Sequence, residues 1–123
     1  DLPGIWNEKY EKYLGVKIKN DSEGVLQDTH WASGYHGYFP SYALGNIYGG
    51  QLINVMEKEI PDWLDQIESG KFGNIKQWMV DQVHRKANLY DPEDLIQHIT
   101  GERLNAKPFT KYLETKYKQI FNV

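Results

Sequence analysis

A chain of 123 residues, 40% apolar and 25% charged, is long enough for one domain with a core, too short for two, and too apolar to stay disordered. A formal net charge of −3 argues against nucleic acid as the main partner, because phosphate binding needs a basic face, and no apolar run approaches the ~20 residues of a membrane span. With no Cys, disulfides, thiolate metal sites and cysteine nucleophiles are excluded as well.

The first periodic segment is Ile5, Trp6, Tyr10, Tyr13 and Leu14, a helical spacing that Pro3 can start and Gly15 can cap. The chain opens on Asp1 with no initiator Met and no signal-peptide pattern, which predicts a piece of something longer. Residues 16–24 are polar and turn-prone and read as a loop with one short extended stretch. Gly24 to Trp31 reads as a short helix or turn. Gly34 to Gly50 begins as a glycine- and aromatic-rich loop and passes at Pro40 into a helix predicted to run to Glu59. Tyr42, Ile47, Leu52, Ile53 and Met56 form its expected inner face. Gly45, Gly49 and Gly50 each cost roughly 0.5–1 kcal/mol in a helix relative to Ala, which predicts a second backbone packed very close to them.

Pro61 is expected to open a short helix through Ser69, stopped by Gly70. Phe72, Ile75, Trp78, Met79 and Val83 mark the next one. Asp91-Pro92-Glu93-Asp94 has the form of a helix start, with Leu95, Ile96 and Ile99 inward and Gly101 at the end. Phe109, Tyr112, Leu113, Ile120 and Phe121 give a last helix from about Lys107, with Glu114 and Lys118 as a favourable i,i+4 pair. No repeat, low-complexity tract or strand pattern of useful length interrupts this order. The predicted fold is all-α, a bundle-like single helical domain over residues 1–123.

The chemistry in the sequence is concentrated in one stretch. The four histidines, His30, His36, His84 and His98, include no i,i+4 pair and no His-Glu-x-x-His, so a helical zinc pair is absent. No nucleophile elbow, P-loop or dinucleotide fingerprint occurs. Residues 24–42, however, group Gln27, Asp28 and His30 with Tyr35, Tyr38 and Tyr42. Asp28 can fix an imidazole tautomer, and a histidine or a tyrosine hydroxyl can stabilise an oxyanion. The competing reading is a tight aromatic loop packed on a helix, with His30 a satisfied, half-buried side chain. Trp6, Trp63 and Trp78 read as packing residues, the lysines of the last helix as a solvated face, and His84 and His98 as surface or capping groups.

Gly24-Val25-Leu26-Gln27-Asp28-Thr29-His30-Trp31 resembles the Gly-x-x-Gln-Asp-x-His-Trp signature of the carboxypeptidase Taq family of thermostable zinc metallocarboxypeptidases. Gly37-Tyr38-Phe39-Pro40-Ser41-Tyr42-Ala43-Leu44-Gly45-Asn46 is similar to that family's GYFPTYxLGN stretch. Glu8-Lys9-Tyr10, Thr100-Gly101-Glu102 and Leu113-Glu114-x-Lys116-Tyr117 extend the resemblance over essentially the whole chain. It implies the C-terminal part of a larger helical zincin-type metallopeptidase, cytoplasmic and usually homodimeric, that removes residues from peptide C-termini. Its zinc, or another divalent metal such as cobalt, would be held by a His-Glu-x-x-His helix that this chain does not contain. The resemblance places His30 against the substrate backbone and gives Tyr42 the oxyanion hydrogen bond, on a His-to-Tyr spacing similar to that of thimet oligopeptidase. Tyr38 is the second candidate, Asp28 the residue that orients a neighbouring histidine, and Gln27 a weaker member. No metal ligand is expected in this chain, and the chain alone is expected to be inactive and to self-associate. Tyr35-His36 and Lys86-Ala87 depart from the family's pattern. The alternative is a non-catalytic helical binding or scaffold module that uses its Tyr-rich loop as an interface.

Overall fold

A computed structural model describes residues 1–86 and 88–123, so the Lys86-Ala87 departure lies in part outside the described residues. Among the described residues there is no strand, and six α-helices follow one another in the chain. They are α1 (Leu2–Leu14), α2 (Pro40–Glu59), α3 (Trp63–Glu68), α4 (Gly73–Gln82), α5 (Pro92–Thr100) and α6 (Lys107–Phe121), with 3₁₀ turns at Val25–Gln27, Thr29–Ser33 and His84–Lys86. No helix of the described residues is long and apolar enough to cross a membrane. The all-α expectation holds, and the chain forms two compact units, Asp1–Ser41 and Tyr42–Val123.

In the first unit the end of the chain is itself the helix cap. The Asp1 carboxylate accepts from the Gly4 N–H at 3.2 Å, and Gly15 closes α1 in the left-handed region at φ 67°, where a side chain would be strained. Residues 16–24 form a loop, as expected, with neither helix nor strand. They turn back through Asn20, whose Oδ1 accepts from the Glu23 N–H at 3.1 Å. The turn brings the buried Val25 under α1. Gly24 fits closely there, since a Cβ would lie 2.8 Å from Ile18 Cγ2 and 3.1 Å from Asn7 Oδ1. The rest of this unit's packing is aromatic: Trp6 stacks on Tyr10 at 5.9 Å and on Phe39 at 6.5 Å, and meets Trp31 edge-on at 6.3 Å.

In the second unit α2 supports the other helices. Gly50 bears out the close approach expected of it: a Cβ would sit 2.8–2.9 Å from the Phe109 backbone of α6. Beside it Gln51, 1% exposed, donates from Nε2 to the Arg103 carbonyl and accepts at Oε1 from the Asn105 N–H, each at 3.0 Å. One buried amide thereby satisfies one carbonyl and one N–H of the α5–α6 connection. Trp78 of α4 is buried and donates from Nε1 to Glu59 at 2.8 Å. Met56, Trp78 and Ile96 are the buried apolar side chains of this unit among the described residues.

Several expectations are corrected. A Cβ added at Gly45 or Gly49 would meet no atom within 4 Å, so neither glycine makes a close backbone contact. Tyr42 and Ile53 of α2 are exposed rather than inward. α3 begins at Trp63, two residues after Pro61, because Pro61 and Asp62 are spent on the turn out of α2. Asp91 stands at the N-cap of α5 in an extended conformation but its carboxylate makes no capping bond, so Pro92 and the acidic first turn start that helix. Trp6 and Trp63 are partly buried, and the reading of Trp6 as a packing residue stands in its contacts with Tyr10, Trp31 and Phe39.

Candidate functional site

The first unit holds the group of residues that the sequence singled out. Asp28 lies at the junction of two 3₁₀ turns, with φ −84° and ψ 82°, and this junction turns its carboxylate back onto the following turn. There Oδ1 accepts from the His30 N–H at 3.3 Å and meets His30 Nδ1 at 2.7 Å. The Asp28 side chain is 5% exposed and that of His30 21%. A buried carboxylate this close requires the proton on Nδ1. Nε2 is then an acceptor in the neutral ring and a donor in the imidazolium, whose charge Asp28 offsets.

The loop after His30 is tied to it through the backbone. The Tyr35 N–H donates to the His30 carbonyl at 2.9 Å, and Gly34 takes the left-handed conformation at φ 78° that lets the chain reverse. Gly37 does the same at φ 75°, after which Tyr38 and Phe39 come back over the histidine. The Tyr38 ring lies 5.1 Å from the imidazole and the Phe39 ring 5.8 Å, while Tyr35 packs on Tyr38 at 6.0 Å. Through Phe39 and Trp6 the histidine is therefore backed by the aromatic packing of α1.

Asp28, His30 and Tyr38 are thus brought together. The histidine that Asp28 orients is His30 itself, two residues away. The Gln27 side-chain amide donates to the Ser22 carbonyl, so it braces the turn that carries Asp28. Tyr42 stands in the first turn of α2, 58% exposed, and its carbonyl accepts from Asn46 Nδ2 at 3.1 Å. Phe39 escaped the sequence reading as a site residue, although its place just before Pro40 in an aromatic run was the available signal. In the second unit, a groove of about 730 Å³ between α2 and α6 is lined by Gly45, Gly49, Ile53, Tyr112 and Lys116 among others.

Among the described residues no group of three or more His, Asp and Glu side chains is placed to hold a metal ion. His30 is engaged by Asp28, His36 and His84 are exposed, and His98 is stacked on Tyr90 at 5.2 Å. These residues do not fit a metal centre.

A family model described as carboxypeptidase Taq (M32) metallopeptidase matches residues 1–117. Carboxypeptidase 1 of Bacillus subtilis strain 168 is 46% identical over 121 residues, which cover 98% of this chain and 24% of that protein. Thermostable carboxypeptidase 1 of Pyrococcus furiosus is 38% identical over 117 residues, covering 95% and 23% respectively. Among solved structures, the M32 carboxypeptidase of Deinococcus radiodurans R1 matches with a TM-score of 0.86 at 33% identity, over 100% of this chain and 25% of that one. The chain spans about a quarter of the length of the relatives it matches.

Proposed function

The chain belongs to the carboxypeptidase Taq (M32) metallopeptidase family, and from that premise we propose that it is the C-terminal part of a zinc-dependent carboxypeptidase that releases C-terminal residues from peptides. The observation that carries this reading is the buried Asp28 carboxylate held 2.7 Å from His30 Nδ1. An imidazole fixed at one nitrogen presents the other in one direction, which is what a group facing a reacting carbonyl needs.

Each residue then has a role. His30, as the imidazolium, donates from Nε2 to the oxygen that gains charge as the peptide carbonyl becomes tetrahedral. Asp28 holds the ring and offsets its charge. Tyr42 supplies the second hydrogen bond to that oxygen, with Tyr38 as a further hydroxyl beside His30. Gln27 keeps the 3₁₀ turn in the shape that aims Asp28. The metal is held by residues outside this chain, so the chain alone has no peptidase activity.

Two measurements test this. In the complete protein, Tyr42→Phe is expected to lower kcat by about 10²–10³ with KM little changed, as loss of one oxyanion donor does elsewhere. An unchanged kcat removes Tyr42 from the reaction. Calorimetric titration of this chain with Zn²⁺ and Co²⁺ near neutral pH is expected to give no stoichiometric binding. A tight one-to-one isotherm would place a metal site inside the chain and overturn the division of labour.

A further inference from the structure

Gly24 stands at the N-cap of the Val25–Gln27 turn and makes no side-chain capping bond there. Ser, Asp or Asn would serve that position and cap the turn besides. Space is what excludes them. A Cβ at Gly24 would lie 2.8 Å from Ile18 Cγ2, 3.1 Å from Asn7 Oδ1 of α1 and 3.4 Å from the Asn20 carbonyl oxygen. The Asn7 amide is the end of a rotatable side chain and can give way. Ile18 Cγ2 cannot, because it is bonded directly to the Cβ of a β-branched residue whose χ1 is stiff. Gly24 and Val25 are both buried, and the turn they begin packs against α1.

From Gly24 the backbone leads with little slack to the imidazole. The Gly24 N–H donates to the Asp21 carbonyl at 3.1 Å, and the Leu26 N–H reaches the same carbonyl at 3.0 Å. The Gly24 carbonyl accepts from the Gln27 N–H at 2.9 Å, and the Val25 carbonyl from the Asp28 N–H at 3.4 Å. The Gln27 side-chain amide closes the turn onto the Ser22 carbonyl. Residues 21–28 are thereby knit into one piece that ends in the buried Asp28. Asp28 Oδ1 meets His30 Nδ1 at 2.7 Å and accepts from the His30 N–H at 3.3 Å, the second already near the outer limit of a hydrogen bond. Carbon atoms pack at about 3.5–4.0 Å, so a contact of 2.8 Å must open by more than about 0.5 Å. The shift that relieves an added methyl is as large as the shift that parts Asp28 from the His30 backbone.

We propose that Gly24 is a positioning residue for the peptidase reaction. Its missing side chain lets the turn seat against Ile18 and α1 at the depth that aims Asp28, and through Asp28 the His30 imidazole, at the substrate carbonyl. This rests on the peptidase reading above. Groups that orient a reacting side chain must hold their place within about 0.5 Å, and a misplacement of about 1 Å costs on the order of 10²-fold in rate. Gly24 acts only through Asp28, so the two form one device and the effects of substituting them do not add.

The test is a double-substitution cycle in the complete protein, read as kcat and KM on peptides with different C-terminal residues. Gly24→Ala is expected to lower kcat by about tenfold with KM within about twofold. In an Asp28→Asn background, where no carboxylate holds the imidazole, the same substitution is expected to cost less than about twofold. Ile18→Ala alone is expected to leave kcat within about twofold, and beside Gly24→Ala to return most of the loss by removing Cγ2. An equal loss in both backgrounds, the mark of a smaller folded fraction, would make Gly24 a structural residue and overturn the proposal. So would an unchanged kcat for Gly24→Ala, or a loss that Ile18→Ala does not relieve. If Gly24→Ala does not fold, Val25→Ala disturbs the same seat by removing buried methyls. A loss of kcat there that vanishes beside Asp28→Asn supports the proposal, and one that persists overturns it. A wild type that releases no residue from any of the peptides would instead overturn the peptidase reading itself.

Discussion

Asp28 and His30 show how a single carboxylate can settle what an imidazole does. Oδ1 of Asp28 lies 2.7 Å from Nδ1 and its side chain is 5% exposed, so burial strengthens the hold on the ring. Asp28→Asn keeps the shape but replaces the acceptor with an amide that can also turn its NH₂ toward Nδ1, favouring the other tautomer. In the complete protein this substitution is expected to lower kcat by about 10² or more while KM stays within a few-fold, following the pattern of other carboxylate-oriented histidines. A change confined to KM would mean that Asp28 shapes the binding surface only. The exposed pair Glu114–Lys118, 2.6 Å apart on α6, is a contrasting case. The hydrogen bond from Lys118, and then its charge, hold the Glu114 carboxyl below the usual carboxylate range. A depressed carboxyl favours the folded state above its unfolded titration, and that contribution is lost as pH falls through the folded one. Lys118→Met is expected to move the Glu114 midpoint back up in an NMR titration of the side-chain carboxyl. A midpoint that stays put would exclude Lys118 as the cause.

At the scale of elements, the helix ends were legible because their chemistry is local. Gly15, Gly70 and Gly101 all adopt the positive φ that their positions after apolar runs predict, and Pro40 opens α2 where it was expected to. The Asp28–His30 pairing was legible for the same reason, since its partners are two positions apart. What escaped were contacts across the sequence: Gln51 holding Arg103 and Asn105 is a 52- and 54-residue separation that no periodicity encodes. The three glycines of α2 separate the two cases physically. Gly50→Ala would force a Cβ within 2.8–2.9 Å of the Phe109 backbone, whereas Gly45 and Gly49 face open space in this chain. In thermal unfolding of this chain, Gly49→Ala is expected to stabilise by about 0.5–1 kcal/mol through helix propensity alone, and Gly50→Ala to destabilise. Stabilisation by both would mean that α6 does not lie against α2 at Gly50.

The whole chain carries more apolar surface than it covers. Among the described residues the buried apolar side chains are Val25, Met56, Trp78 and Ile96, while Ile5 and Leu14 of α1, Ile53 of α2, Leu64 of α3, and Tyr112, Ile120 and Phe121 of α6 are exposed. This is why the inward face read from periodicity failed at Tyr42 and Ile53 of α2. The periodicity marks which face is apolar and says nothing of whether its partner lies within the same chain. The relatives are about four times as long, so most of what those faces would meet is not in this chain. Exposed apolar area costs about 25 cal/mol per Å², and an isolated chain can lower that cost only by burying the surface against other copies. Light scattering across the micromolar range is therefore expected to give a mass that rises with concentration above the 14.4 kDa of the monomer. Adding the separately expressed remainder of the protein is expected to replace this open-ended association with one defined complex, because a matched surface outcompetes a self-matched one. A clean monomer throughout the range would show that these faces are content in water and would leave the missing three-quarters without the packing role assigned to it here.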